Sequence, residues 1–242
     1  MIRLKHHTVR IDKDEVIMAA MSDSHIGHPN YHAKKLRSDI DYIKDNELPW
    51  LHLGDWADFI TPDDRRYDVG MDDIMTQFND IKELFAPIKD QCVSMLRGNH
   101  GSKWSKKEGD IIGQIAREWN VPYLGYCGFI TVKLNKKSYK IWVHHGAGGG
   151  RKRGAKTIRL QDWALFVDAD IYLQGHTHTW VAFSDQKLTP YGKRLRWYAN
   201  TPGYIDSYTG HDNYVEEWGL PPQPTGMLQL TLGDKIKIEP IL

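Results

Sequence analysis

The sequence predicts an α/β protein built as two mixed β-sheets packed in a sandwich and flanked by helices. Three observations carry that expectation. Short apolar runs recur and stop at Gly, Asp, Asn or His, as strands buried on both faces do. Between several of them lie longer stretches with apolar residues three and four apart, the period of a half-buried helix. Beyond about residue 126 the runs come in pairs around short polar turns, as hairpins do.

Taken in order, Arg3 to Ile11 alternate loosely and fit an edge strand. Asp12-Lys13-Asp14 turns the chain into the first core strand, Val16 to Met21, apolar throughout. Tyr31 to Asn46 reads as a helix. Leu51-His52-Leu53 is a short strand that stops at Gly54 and delivers Asp55. A polar loop follows from Thr61 to Arg66. Met71 to Phe85 is an amphipathic helix, with Ile74, Phe78, Ile81 and Phe85 on one stripe and Pro87 expected to end it. Cys92 to Leu96 is the next core strand. Ser105 to Asn120 reads as one further helix, closed by Val121-Pro122. Tyr126 to Leu134 and Ser138 to Val143 pair around Asn135-Lys136-Lys137 and open the second sheet. Gly146 to Gly154 is Gly-rich and then basic, before a helix from Lys156 to Val167 and a strand from Ile171 to Gln174. A long hairpin runs from Trp180 to Tyr198 around Thr189-Pro190-Tyr191-Gly192, closed by Asn200-Thr201-Pro202-Gly203. Met227 to Ile241 forms a last hairpin through Gly233-Asp234.

Five of these strands end in the same kind of cargo: Asp23 and His25, Asp55 and Asp58, Asn99 and His100, His144 and His145, His176 and His178. Open α/β sheets gather ligands at the carboxyl ends of their strands. Asp, His and Asn together are ligands for hard-to-borderline divalent metals. Asp23 and His25 are two apart, so an extended tip points both to one side. Each pattern alone is as easily a turn. Five of them on five strand ends argue for a site.

In chain order, Asp-x-His at Asp23–His25, Gly-Asp-x-x-Asp at Gly54–Asp58, Gly-Asn-His at Gly98–His100, His-Gly at His145-Gly146 and Gly-His-x-His at Gly175–His178 resemble the motifs of the calcineurin-like metallophosphoesterase superfamily. The specificity lies in the order and spacing of the five, spread over about Asp23 to His178. The resemblance implies a metallo-dependent phosphatase-like sandwich and two divalent metal ions. Mn comes first, and Fe, Zn, Ni or Co also suit a mixed oxygen and nitrogen set. One ion would be held by Asp23, His25, Asp55 and His178, the other by Asp55, Asn99, His145 and His176, with Asp55 bridging. The His-Gly pattern selects His145 over His144, which would support it or pack. His100 would protonate the leaving oxygen, and Asp58 would hold His100 in the useful tautomer. The nucleophile would be a hydroxide bridging the two ions.

The function this implies is metal-dependent hydrolysis of a phosphate ester, with a lean toward diesters. The lean comes from Arg151, Lys152 and Arg153, read either as a substrate-binding rim beside the metals or as ordinary solvated loop. Phosphomonoesterase, nuclease or nucleic-acid end-processing enzyme, and a catalytically silent metal-bound interaction protein are the rivals. Two departures from the family bear on this. Gly101 follows Gly-Asn-His where many members carry an acid, and Phe59-Ile60 replace the Arg-Gly of the protein Ser/Thr phosphatases.

Length and composition bound the rest. The 242 residues read as a single domain, 1–242, with an aromatic-rich extension at about 204–242. Tyr204, Tyr208, Tyr214 and Trp218 could stack on bases, but packing over the sandwich edge is the favoured reading. A formal net charge of +1 does not indicate a general polyanion-binding surface, so a nucleic acid or nucleotide partner stays an option without general support. Two cysteines, Cys92 and Cys127, suggest packed thiols rather than a disulfide framework. No apolar run is long enough to span a membrane, and the N-terminal stretch lacks a secretory apolar core, so a cytoplasmic setting is expected.

Overall fold

The computed structural model describes residues 4–64, 67, 70–106, 109–148, 152–209, 214–217 and 219–242. Two mixed six-stranded sheets face each other, as expected. The first is ordered β12-β11-β2-β3-β4-β5, from strands β2 (Val16–Met21), β3 (Trp50–His52), β4 (Cys92–Leu96), β5 (Tyr123–Gly125), β11 (Met227–Leu232) and β12 (Ile236–Ile241). Its β2, β3, β4 and β5 run parallel, and the β11–β12 hairpin adds antiparallel to β2. The second is ordered β1-β6-β7-β8-β10-β9, from β1 (His6–Arg10), β6 (Cys127–Lys133), β7 (Ser138–His144), β8 (Ile171–Gln174), β9 (Val181–Thr189) and β10 (Gly192–Asn200). The first strand is indeed an edge.

The parity of the strands explains their composition. Met18 and Ala20 of β2 point into the sandwich with Ile130, Ile141, Val143, Ile171 and Leu230. Ala19 and Met21 of the same strand face the other way, into a second core with Leu36, Ile43, Trp50, Ile81, Phe85 and Ile115. A strand apolar on both faces is therefore covered on both faces. Three helices supply the outer cover: α1 (Ala33–Asp45), α2 (Ile74–Phe85) and α4 (Ile111–Glu118). On the far side of the second sheet, α5 (Arg153–Phe166) buries Leu160 against Trp142, Tyr172 and Tyr198. A one-turn helix, α6 (Tyr214–Glu217), precedes the last hairpin.

The structure refines three element boundaries. The helix expected over Ser105–Asn120 begins only at Ile111, as α4, and a separate helix, α3 (Gly98–Ser105), ends where it was expected to start. Asp110 makes the break, because its side chain accepts the Gly113 N–H at 3.1 Å and starts a new helix. The amphipathic helix ends at Phe85 as expected, though Pro87 does not stop the chain from coiling on. It sits in the first turn of a 3-10 helix, Ala86–Gln91, where its missing N–H has no bond to lose. Tyr123–Gly125, which the sequence left unassigned, closes the first sheet beside β4.

Tyr204 packs as expected: it is fully buried in the helix-side core, with its hydroxyl donating to Asp39 Oδ2 at 2.8 Å. Trp218 and the side chain of Tyr214 lie outside the described residues. Both cysteines are free, and burial pushes both thiols up. Among the described residues, no helix is long and apolar enough to cross a membrane.

Candidate metal centre

The ladder hydrogen bonds of β2, β3 and β8 stop where the polar residues begin, and the backbone turns left-handed there. Asp23, His25, Asp55, His176 and His178 have φ of 52°, 45°, 51°, 67° and 48°. Such angles are uncommon for side-chain-bearing residues and cluster at functional sites. Cross-tip backbone bonds hold them: Asp23 N–H to Gly54 O at 2.9 Å, His25 N–H to Asp55 O at 3.2 Å, and Asp55 N–H to Arg97 O at 3.3 Å. Glycine is required where the β3 and β4 tips touch. At Gly54 (φ 108°) a Cβ would lie 2.7 Å from Gly98 Cα, closer than real Cβ contacts come.

The tips deliver two clusters. In the first, Asp23 Oδ1 lies 3.5 Å from His178 Nε2 and 3.9 Å from His25 Nε2, and the two Nε2 atoms are 3.2 Å apart. In the second, Asn99 Oδ1 lies 2.9 Å from His145 Nε2, 3.2 Å from Asp55 Oδ2 and 2.7 Å from His176 Nδ1. His145 Nε2 is 3.1 Å from Asp55 Oδ2. The geometry of both clusters, with Asn99 set aside, suits a bound cation.

Two observations test the fit to metal ions. Asp23 Oδ1 is buried with no hydrogen-bond partner, an arrangement that is costly unless something positive meets it. Asn99 Oδ1 faces only lone-pair atoms. Turning the amide would place its N–H groups there, but the one donor its oxygen would gain, the His100 N–H, already bonds Asp55 Oδ1 at 2.9 Å. A cation among Asn99, Asp55, His145 and His176 satisfies the amide as it stands. The donor set fits a divalent ion at each cluster.

Hydrogen bonds on the far ring nitrogens aim the histidines. His145 Nδ1 lies 2.9 Å from Leu53 O, so it carries the proton and leaves the Nε2 lone pair to the cluster. His25 Nδ1 lies 2.5 Å from Asp58 Oδ1, leaving its Nε2 likewise. Asp58 meets His100 through a different atom than the carboxylate expected to hold it. Its carboxylate grips His25, and its nearest approach to the His100 ring is 3.6 Å. His100 Nδ1 is held instead by the backbone carbonyl of Asp58, at 2.7 Å. Phe59, the next residue, has a left-handed φ of 46°.

Charge is balanced within the chain. Burial opposes a charge on His25, but Asp58, Asp55 and Asp23 outweigh it and push the ring up to about 9. Burial, helped by Asp55, raises Asp23 to about 6. Burial would raise Asp55 as well, but His145, His100 and His25 hold it well below the usual carboxylate range. Burial and the charge of His145 lower His176 to about 4, and burial with His25 holds His178 well below the usual imidazole range.

All seven expected ligands thus come together, and His100 stands beside them, its ring edge-on to His25 at 4.9 Å. His144 packs on Trp163, ring centroids 4.3 Å apart, and its Nδ1 accepts the Gly146 N–H at 2.7 Å. Of the basic run, Lys152 is exposed at the start of α5, while Arg151 and the side chain of Arg153 lie outside the described residues. The sequence reading missed Tyr126. Its carbonyl accepts the His145 N–H at 3.1 Å and its hydroxyl donates to Gly146 O at 3.0 Å. It also missed His52, whose one signal is a histidine inside an otherwise apolar strand.

No protein-family model matches the chain, and no curated protein does. Solved structures do resemble it. A predicted phosphoesterase from Streptococcus pneumoniae TIGR4 is 15% identical, over 94% of this chain and 89% of that one, at a TM-score of 0.42. Vps29 from Entamoeba histolytica, complexed with zinc, is 14% identical over 93% and 98%, at 0.44. GAP50, the anchor in the inner membrane complex of Plasmodium, is 11% identical over 95% and 85%, at 0.49.

Proposed function

We propose that this protein is a metal-dependent phosphoester hydrolase, with one divalent cation at Asp23, His25 and His178, a second at Asn99, His145 and His176, and Asp55 shared between them. The observation that carries this is the convergence of Asn99 Oδ1, Asp55 Oδ2, His145 Nε2 and His176 Nδ1 within 2.7–3.2 Å of the amide oxygen, beside an unpartnered Asp23 oxygen. Two such cations neutralise phosphate oxygens and acidify the attacking water. Asn99 contributes an uncharged oxygen, which keeps the ligand charge low and the centre electrophilic. His100 is the candidate acid. Its Nδ1 proton is committed to the Asp58 carbonyl, so in the imidazolium form the second proton stands on Nε2, the one it would give to the leaving oxygen. Burial lowers its pKa, with Asp55 and Asp58 partly restoring it.

The finer reading is diester hydrolysis, supported by the basic run Arg151-Lys152-Arg153 that follows the second cluster's His145 within a few residues. The test is turnover of p-nitrophenyl phosphate and bis-p-nitrophenyl phosphate with Mn²⁺ added. Faster turnover of the diester is the expected result. A protein that binds Mn²⁺ and turns over neither ester would overturn the hydrolase.

A further inference from the structure

Beneath the ligands lies a layer that the phosphoester chemistry does not use. His52 is fully buried at the end of β3. Its Nδ1 accepts the Gly54 N–H at 3.2 Å, so the lone pair is there and the ring proton is on Nε2. That Nε2 meets Ser24 Oγ at 2.8 Å. Ser24 is the residue between Asp23 and His25. The His52 ring also lies flat on the buried Trp56, with centroids 3.8 Å apart and planes 23° apart. Trp56 reaches the other way. Its Nε1 donates at 2.8 Å to the carbonyl of Leu96, the last residue of β4.

A leucine at 52 and a phenylalanine at 56 would fill the same apolar layer without buried polar groups to satisfy. Each ring instead spends its polar atom on a different neighbouring tip. Those tips need outside support, because the ladder bonds have ended and the backbone is left-handed at Asp23 and His25.

We propose that His52 and Trp56 are positioning residues that set the two metal sites separately. His52, through Ser24, fixes the tip of Asp23 and His25. Trp56, through Leu96, fixes the tip of Asn99 and His100. The inference rests on the two-cation reading above.

The experiment titrates metal-free protein with Mn²⁺ by calorimetry and with Co²⁺ by visible absorption. His178→Ala and His176→Ala identify the first and second sites by removing one each. His52→Leu and Ser24→Ala should each weaken the first site about ten- to a hundredfold, the range for ligand-supporting groups, and leave the second unchanged. The double variant should be no worse than His52→Leu alone, since both remove one bond. His52→Gln, whose amide can donate to Ser24 Oγ, should recover most of the loss. Trp56→Phe should weaken the second site and spare the first. Equal weakening of both sites, additive losses, or unchanged affinities would overturn the proposal. If His52→Leu does not fold, Ser24→Ala decides alone, and a first site of normal affinity in it sinks the idea. Wild-type protein that binds no pair of cations would remove the two-cation reading and this one with it. Wild-type protein that binds two, with normal variants, removes only the positioning roles.

Discussion

The cluster of Asp23, His25 and His178 and the cluster of Asp55, Asn99, His145 and His176 both take side chains from the two sheets, yet they are backed differently. In the first, a carboxylate stands behind the histidine: Asp58 holds His25 at 2.5 Å. In the second, a neutral carbonyl does: Leu53 O holds His145 at 2.9 Å. A carboxylate behind an imidazole raises its basicity, and so its strength as a ligand. The second cluster adds a neutral amide oxygen where the first has a bare carboxylate oxygen. On the two-cation proposal, the first would hold its cation tightly and the second would leave its cation electrophilic.

The strongest way to break that contrast is to remove what the clusters share. Asp55→Asn should lose most bound metal and all measurable turnover, read by elemental analysis after dialysis against Mn²⁺. Retention of one cation per chain would show that the clusters do not depend on a common carboxylate. His100→Ala comes next. It should keep both cations and lower kcat by roughly 10²–10⁴, the cost of a lost general acid. The loss should shrink for esters with good leaving groups, and an equal loss across leaving groups would take the acid role away.

Asp58→Asn sharpens the contrast. Because its carboxylate backs His25, the variant should weaken the first site about ten- to a hundredfold in calorimetric titration while the second stays intact. A defect confined to poor leaving groups would return Asp58 to His100.

The pH dependence separates the metal-free chain from the loaded one. In the metal-free chain His25 is raised from 6.5 to about 9. Its charge therefore stabilises the fold fully below about 6.5, and that contribution is lost as pH rises through about 9. Cation binding needs the neutral ring, so first-site affinity rises over the same interval. Melting curves of metal-free wild type and His25→Gln should converge as pH rises through that window. A difference that stays constant would show that His25 does not carry the charge. The smallest effect belongs to the periphery: replacing Arg151, Lys152 and Arg153 with Ala should raise KM modestly for an anionic diester at low salt, and less as salt screens the loop. An unchanged KM makes the run solvated surface.

Much of this was legible in the sequence, because strand burial writes itself as apolar runs and the motifs stand on their ends. Val16 to Met21 could be read as a strand covered on both faces, and from Met18 on it is, with Ile17 exposed at its start. What the sequence does not carry is the direction of a side chain at a left-handed residue. Asp58 shows this: its pairing with His100 is visible in the spacing, while the choice of carbonyl for His100 and carboxylate for His25 is not. His52 was passed over because a histidine in a buried strand looks like any core residue until its two nitrogens find Ser24 and Gly54. The late start of α4 at Asp110 is not legible because a capping aspartate inside a helical pattern reads as a surface charge.

The β11–β2 pairing has a consequence for biogenesis. Leu228 lies opposite Ala20, so the strand that presents Asp23 and His25 gains its outer neighbour from a segment made long after it. Until that segment leaves the ribosome, β2 is an open edge able to pair with another chain. Closing such a distant pairing is slow, as contacts far apart in sequence are. A truncation before Met227 should leave nascent chains that aggregate through β2 rather than ones that merely lack a hairpin.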